Sequence, residues 1–186
     1  MIRLRRALVA LALVTLSGLT GSPALATTAV LLTRDELVDA SDIVIEATVT
    51  GASAGLAEDG RTHVTRTALA VRRYAKGAGP RSWTVRQLGG KVGDRSMHVV
   101  GDAKLERGQH VVVFLRRGAG DGNAYLTAMA QAVYFVGDDQ RARRRLGGVT
   151  LVRKIGDRFE RIEENEPAET VDRLVGDVQR RARRPR

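Results

Sequence analysis

The chain has 186 residues, enough for one domain with a sizeable core, and no cysteine, which excludes disulfides, thiolate metal sites and a cysteine nucleophile. Its 31 Lys and Arg, nearly all Arg, outnumber 21 Asp and Glu for a formal net charge of +10, a balance suited to anionic partners. With only one Trp, three Tyr and three Phe, few rings remain for stacking on bases, which argues against a single-stranded nucleic-acid binder.

Taken in order, the chain opens with Arg3, Arg5 and Arg6 ahead of an apolar run, Ala7 to Leu16. Pro23 and then Ala24-Leu25-Ala26 supply the helix stop and small residues that signal peptidase reads, so residues 1–26 are predicted to be a cleaved signal peptide. Ser17, Gly18, Thr20 and Gly21 interrupt the apolar run, which is too short for a membrane anchor. The mature chain would begin at Thr27 and carry no transmembrane span. The protein is thus expected to be exported, to the periplasm or beyond the cell, as a β-barrel domain over 27–165 and a C-terminal helix with an Arg-rich tail over 166–186.

Thr33, with Glu36 three residues on and Leu32 and Leu37 as a staple, predicts a short helix ending near Ala40. Ile43 to Thr50 alternates as a strand, with Ile45, Ala47 and Val49 on one face. Gly51 to Gly60 reads as a loop and Thr62 to Val71 as a Thr-rich strand. In that strand both Thr65/Thr67/Leu69/Val71 and Val64/Ala68/Ala70 qualify as the inward set, and a bulge would reconcile them. Lys76 to Pro80 is a turn, Ser82 to Leu88 a strand with Trp83 and Val85 inward, Gly89 to Asp94 a glycine-rich loop and Ser96 to Val100 a short strand.

Val111 to Leu115, five apolar residues between Gly108 and Arg116-Arg117, reads as a strand buried on both faces and as the centre of the fold. Strands follow at Tyr125–Met129, Ala132–Gly137 and Leu146–Ile155, with Asp138–Arg145 as a charged connection. From Pro167 to Arg184 the spacing of Val171, Leu174, Val175 and Val178 predicts an amphipathic helix, with acids near its start and arginines at its end. Short strands between glycine turns, flanked by two helices, predict a mainly β fold: a small antiparallel β-barrel or a sandwich, without the βαβ alternation of a parallel sheet.

The order Asp35-Glu36-Leu37-Val38, Ser41-Asp42-Ile43-Val44-Ile45, then Tyr74-Ala75-Lys76-Gly77 resembles secreted barrels of the oligonucleotide-binding fold, the netrin-like domains that include the tissue inhibitors of metalloproteinases. Gln87-Leu88-Gly89-Gly90, Val100-Gly101-Asp102-Ala103 and Arg107 to Leu115 extend the resemblance to uncharacterised exported bacterial proteins of that pattern, over roughly residues 33–136. The resemblance implies an oligonucleotide-binding-fold-like barrel. It also raises protease inhibition through the mature N-terminus, although Thr27 stands where those inhibitors present a zinc-chelating Cys, with nothing stapling it to the barrel.

No catalytic signature is present. Ser41, Ser53, Ser82 and Ser96 lie outside any Gly-x-Ser-x-Gly elbow, and His63, His98 and His110 fall on three segments without metal-ligand spacing. Asp94 and Asp102 flank one predicted strand as a candidate acid pair. Gly89, Gly90, Lys91, Gly93 and Asp94 lack the spacing of a phosphate loop and are instead a candidate partner-binding hairpin loop. Arg141, Arg143, Arg144 and Arg145, with Arg180, Arg181, Arg183 and Arg184, are candidate contacts to an anionic surface or polymer. The function expected is a non-enzymatic, cofactor-free binding module for an unknown protein partner in the envelope or medium. Inhibition of a metalloprotease, and an enzyme with a dispersed site, stand as the alternatives.

Overall fold

The computed structural model describes residues 28–120, 122–163 and 166–184; the predicted leader lies outside them. In order the chain forms β1 (Thr28–Val30), α1 (Arg34–Ala40), β2 (Ile43–Leu56), β3 (His63–Lys76), β4 (Ser82–Leu88), β5 (Gly90–Val92) and β6 (Arg95–Met97). It continues through β7 (His110–Arg117), β8 (Ala124–Leu126), a short 3₁₀ helix (Met129–Ala132), β9 (Val133–Val136) and β10 (Arg141–Arg144). β11 (Thr150–Ile155), β12 (Arg158–Arg161), β13 (Glu169–Thr170) and α2 (Val171–Ala182) complete it.

Strands β2, β3, β4, β8 and β7 close into a barrel. Neighbours are antiparallel except β4 and β8, which meet in parallel at Val85 and Ala124. Counted within the barrel, the strand path is first, second, third, fifth, fourth and back to the first. This is the five-stranded Greek-key closure of an oligonucleotide-binding-like fold. β7 also pairs with β9, which leads to β10 and β13, so one sheet runs out of the barrel as a wing.

That double membership explains the apolar run. Val111, Val113 and Leu115 face the barrel interior with Ile43, Ile45, Ala47, Val49, Leu69, Trp83 and Val85. Val112 and Phe114, on the opposite face, pack with Val44, Tyr134 and the two helices through Leu37, Val38, Leu174, Val175 and Val178. All five residues of the run are fully buried because helices cover the face that the barrel does not.

The predicted capping box at α1 forms: Thr33 N–H donates to Glu36 Oε2 (2.7 Å), and the Thr33 hydroxyl accepts from the Glu36 amide. β3 turns Thr67, Leu69 and Val71 inward, opposite β4's Trp83 and Val85, and register shifts along β2–β3 supply the expected bulges. Several boundaries differ from expectation. β2 runs on to Leu56 and β3 to Lys76, because bulges let a long ribbon coil around the barrel instead of stopping at Gly51. The segment Asp138–Arg145, expected as a connection, contains β10, whose Ala142 is buried while its arginines point elsewhere. The strand expected at Ser96–Val100 is the shorter β6, hairpinned with β5 around Gly93-Asp94.

Candidate functional site

The barrel does not stay apolar along its length. Beyond Leu69 and Val85 the next inward positions are Thr67 and Thr65 on β3 and Gln87 on β4, and here the interior opens into a cavity of about 420 Å³. Ala52 and Ala54 of β2 form one side, the β5–β6 hairpin and Val99 another, and the segment 102–105 the third. Leu105, buried, plugs the floor against the barrel core.

The local chain path is set by side chains of the barrel itself. The Thr65 hydroxyl donates to Gly89 O (2.9 Å) and the Gly89 amide to His63 O (2.8 Å), which swings the chain out of β4 into the hairpin. Gly90 sits at φ 123°, and a Cβ there would lie 2.6 Å from Thr65 Oγ1 and 2.8 Å from the Ala54 Cβ, so only glycine permits this approach. On the far side Gln87 Nε2 donates to Ala103 O (2.8 Å), and the Ala103 amide donates to Asp102 Oδ1 (2.8 Å).

The cavity lining is mixed, with Thr65, Gln87, Ser96, His98 and Asp102 among Ala52, Ala54, Leu88, Met97 and Val99. Thr67 lies beneath the cavity surface, fully buried, and among the described residues its Oγ1 has no partner, which costs free energy. Burial pushes the Asp102 carboxyl up from the ordinary aspartate range, against hydrogen bonds from Gln87 and Ala103 and the nearby His98. Leu88 and Met97, both exposed, form the apolar rim, with Lys91 and His98 beside them.

The predicted loop residues divide. Gly89, Gly90 and Lys91 line this cavity; Gly93 and Asp94 form the outer turn of the hairpin and do not. Asp94 and Asp102, read as a candidate pair, are therefore not brought to one cavity wall. Thr67 and Gln87 escaped the sequence reading, although the signal was present as polar residues at inward positions of strands that otherwise alternate apolar.

The arginines are engaged elsewhere. Arg141 donates to Ala168 O and Arg143 to Asp139 (2.9 Å). Arg144 meets Glu166 (2.8 Å), and the Arg145 guanidinium lies 4.4 Å from the Phe135 ring centroid. Arg180 pairs with Asp177 and Arg181 with Asp39, while Arg183 and Arg184 are exposed at the end of α2. Two further clusters fasten the helices to the sheet. Arg34 joins Glu166, Glu169 and Asp177 beside Tyr134, whose phenol burial pushes up to about 12. Glu46 joins Arg73 and His110 (2.8 Å), with Arg73 reaching Asp172 on α2 (2.5 Å).

Among the described residues no group of His, Cys, Asp and Glu is placed to hold a metal ion, and no helix is long and apolar enough to cross a membrane. No protein-family model matches the sequence, and no curated protein is similar to it.

Proposed function

We propose that the chain is an exported, non-enzymatic binding module that takes its ligand at the open end of the barrel. The observation that carries this reading is the open cavity of about 420 Å³ at the barrel end, edged by the exposed apolar side chains of Leu88 and Met97. The lining holds one acid, Asp102, so it does not offer the carboxylate pair of two-carboxylate hydrolases. The lining has no Phe, Tyr or Trp to serve as a stacking platform, which speaks against a nucleic-acid base as occupant. Export rests on the leader composition, and N-terminal sequencing of the mature protein should begin at Thr27.

The test is a thermal-shift screen of small molecules against the wild type and Ala52→Trp, a substitution at an exposed position that fills the cavity mouth. Ligands present at about a hundred times Kd stabilise by roughly 2.7 kcal/mol. Compounds that stabilise the wild type should leave Ala52→Trp unshifted; equal shifts in both would sink the reading.

A second reading, inhibition of a metalloprotease by the amine of Thr27 as the netrin-like resemblance suggests, gains support from β1. Thr28–Val30 pairs in parallel with β11, and Gln131 bonds Val30 O (3.0 Å) and the Leu32 amide (2.8 Å), so the chain next to Thr27 is held without a disulfide. One residue added before Thr27 should abolish such inhibition.

A further inference from the structure

We infer that β12 pairs antiparallel with β12 of a second copy of the chain, joining two three-stranded sheets into one across a twofold axis; this is independent of the barrel cavity. In that sheet β11 lies between β1 and β12, and the two outer edges differ. The β1 edge is closed by a side chain: Gln131 donates to Val30 O (3.0 Å) and accepts from the Leu32 amide (2.8 Å). The β12 edge is open. All of Arg158–Arg161 is exposed, and Phe159, at 60%, is the most exposed large apolar residue among those described. The Ile162 amide donates to Leu151 O (3.0 Å), so by alternation Phe159 and Arg161 turn their N–H and C=O groups away from β11, toward the open edge.

Charges on an edge strand ordinarily keep copies apart. Here their order does the opposite. From the turn onward the chain reads Asp157, Arg158, Phe159, Glu160, Arg161. Antiparallel pairing centred on Phe159 sets each Phe159 against its counterpart, each Arg158 against Glu160 of the second copy, and each Asp157 against Arg161 of the second copy. Opposite charges and paired rings are both favourable in directly opposed positions, and like charges are not. That rule excludes the neighbouring registers. A centre at Arg158 or at Glu160 sets that residue against itself. A centre between Phe159 and Glu160 opposes Arg158 to Arg161, and one between Arg158 and Phe159 opposes Asp157 to Glu160. The backbone agrees with the surviving register, because a residue whose N–H and C=O both face outward can exchange both hydrogen bonds with its own counterpart. Arg34, Arg73 and Arg181 are spent on acids of their own chain, whereas Asp157, Arg158, Glu160 and Arg161 have no ion-pair partner among the described residues. Within the hairpin Arg153 lies opposite Glu160 and Ile155 opposite Arg158, so β11 adds no like charge to either row. An edge this short makes a weak dimer that forms as concentration rises.

The experiment is sedimentation equilibrium of the leader-free chain, residues 27–186, which holds every described element, at concentrations up to about 1 mM. The wild type should pass from monomer to dimer, and the Phe159 amide should exchange more slowly as it does so. Arg158→Glu and Glu160→Arg each oppose like charges twice across the axis, and each should weaken the dimer at least about 10-fold. Both positions are exposed, so neither variant should shift the urea midpoint. Mixed in equal amounts, the two variants regain opposite charges in both rows and should form a heterodimer within about 3-fold of the wild-type strength. Phe159→Ala should weaken the dimer by about 3- to 10-fold. A monomer at every concentration overturns the inference. So does a dimer that neither charge variant weakens, or a mixture of the two that stays monomeric.

Discussion

At one end of the barrel Ile43, Leu115, Trp83 and Tyr74 fill the interior, and the Trp83 indole donates to the Tyr74 hydroxyl (2.9 Å), which donates on to Pro80 O (2.6 Å). At the other end, the inward positions of β3 and β4 carry Thr65, Thr67 and Gln87, and the space between them is left open. Among the described residues the first end leaves no buried side-chain polar atom without a partner; the second leaves a hydroxyl without one and draws a carboxylate partly out of water. Residues chosen for stability alone would have continued the apolar alternation, so the second end is where the fold gives up stability.

The contrast is broken most directly at the packed end. Trp83→Ala should cost about 3–5 kcal/mol in a urea melt, since it removes a large buried ring and the partner of Tyr74. A loss no larger than that of the open-end variants would mean that the two ends do not differ in kind. Next comes Gly90→Ala, with φ at 123° and no room for a Cβ: a cost of about 1–3 kcal/mol, with faster hydrogen exchange confined to β5 and β6. Uniformly faster exchange would count against a locally fastened hairpin.

The remaining two substitutions should go the other way. Thr67→Val replaces an unpaired hydroxyl by a methyl of the same shape and should raise stability by about 1 kcal/mol. A destabilised variant would show that the hydroxyl has a partner in solution. The smallest effect is pH-dependent. Because burial raises Asp102, the folded chain holds that proton more tightly than the unfolded one, and stability falls as pH rises from the unfolded aspartate value, about 3.9, through the folded value. Asp102→Asn should therefore melt higher than the wild type at neutral pH, with the gap closing in acid as the carboxyl gains its proton. A gap constant with pH would exclude the carboxylate as its cause.

Much of the scaffold was legible in the chain because local rules agreed with the fold. Thr33 and Glu36 write a cap whatever lies beyond them, and Ser82–Leu88 alternates cleanly between two turns. Val111–Leu115 announced burial on both faces, though not that helices supply the second cover. β1, β12 and β13 were not legible: strands of two to four residues owe their existence to a partner far along the chain. The cavity was legible only in its hairpin, at Gly89, Gly90 and Lys91. Thr67 and Gln87 look like ordinary β-strand residues until the inward face of β3 is decided, and that decision rests on bulges no local pattern fixes. Asp102 was visible as an acid, but its desolvation depends on Leu105 and Ala103 folding back over the barrel end.

The run Val111–Leu115 has one more consequence. Five residues of high β-propensity with no charge and no proline are a template for cross-β stacking whenever the chain is unfolded, as it would be while newly made. Arg116 and Arg117 follow the run directly, remain exposed in the folded protein, and act as gatekeepers whose mutual repulsion opposes stacking of identical segments. The strand that most firmly joins the two cores is thus also the segment most in need of protection before either core exists.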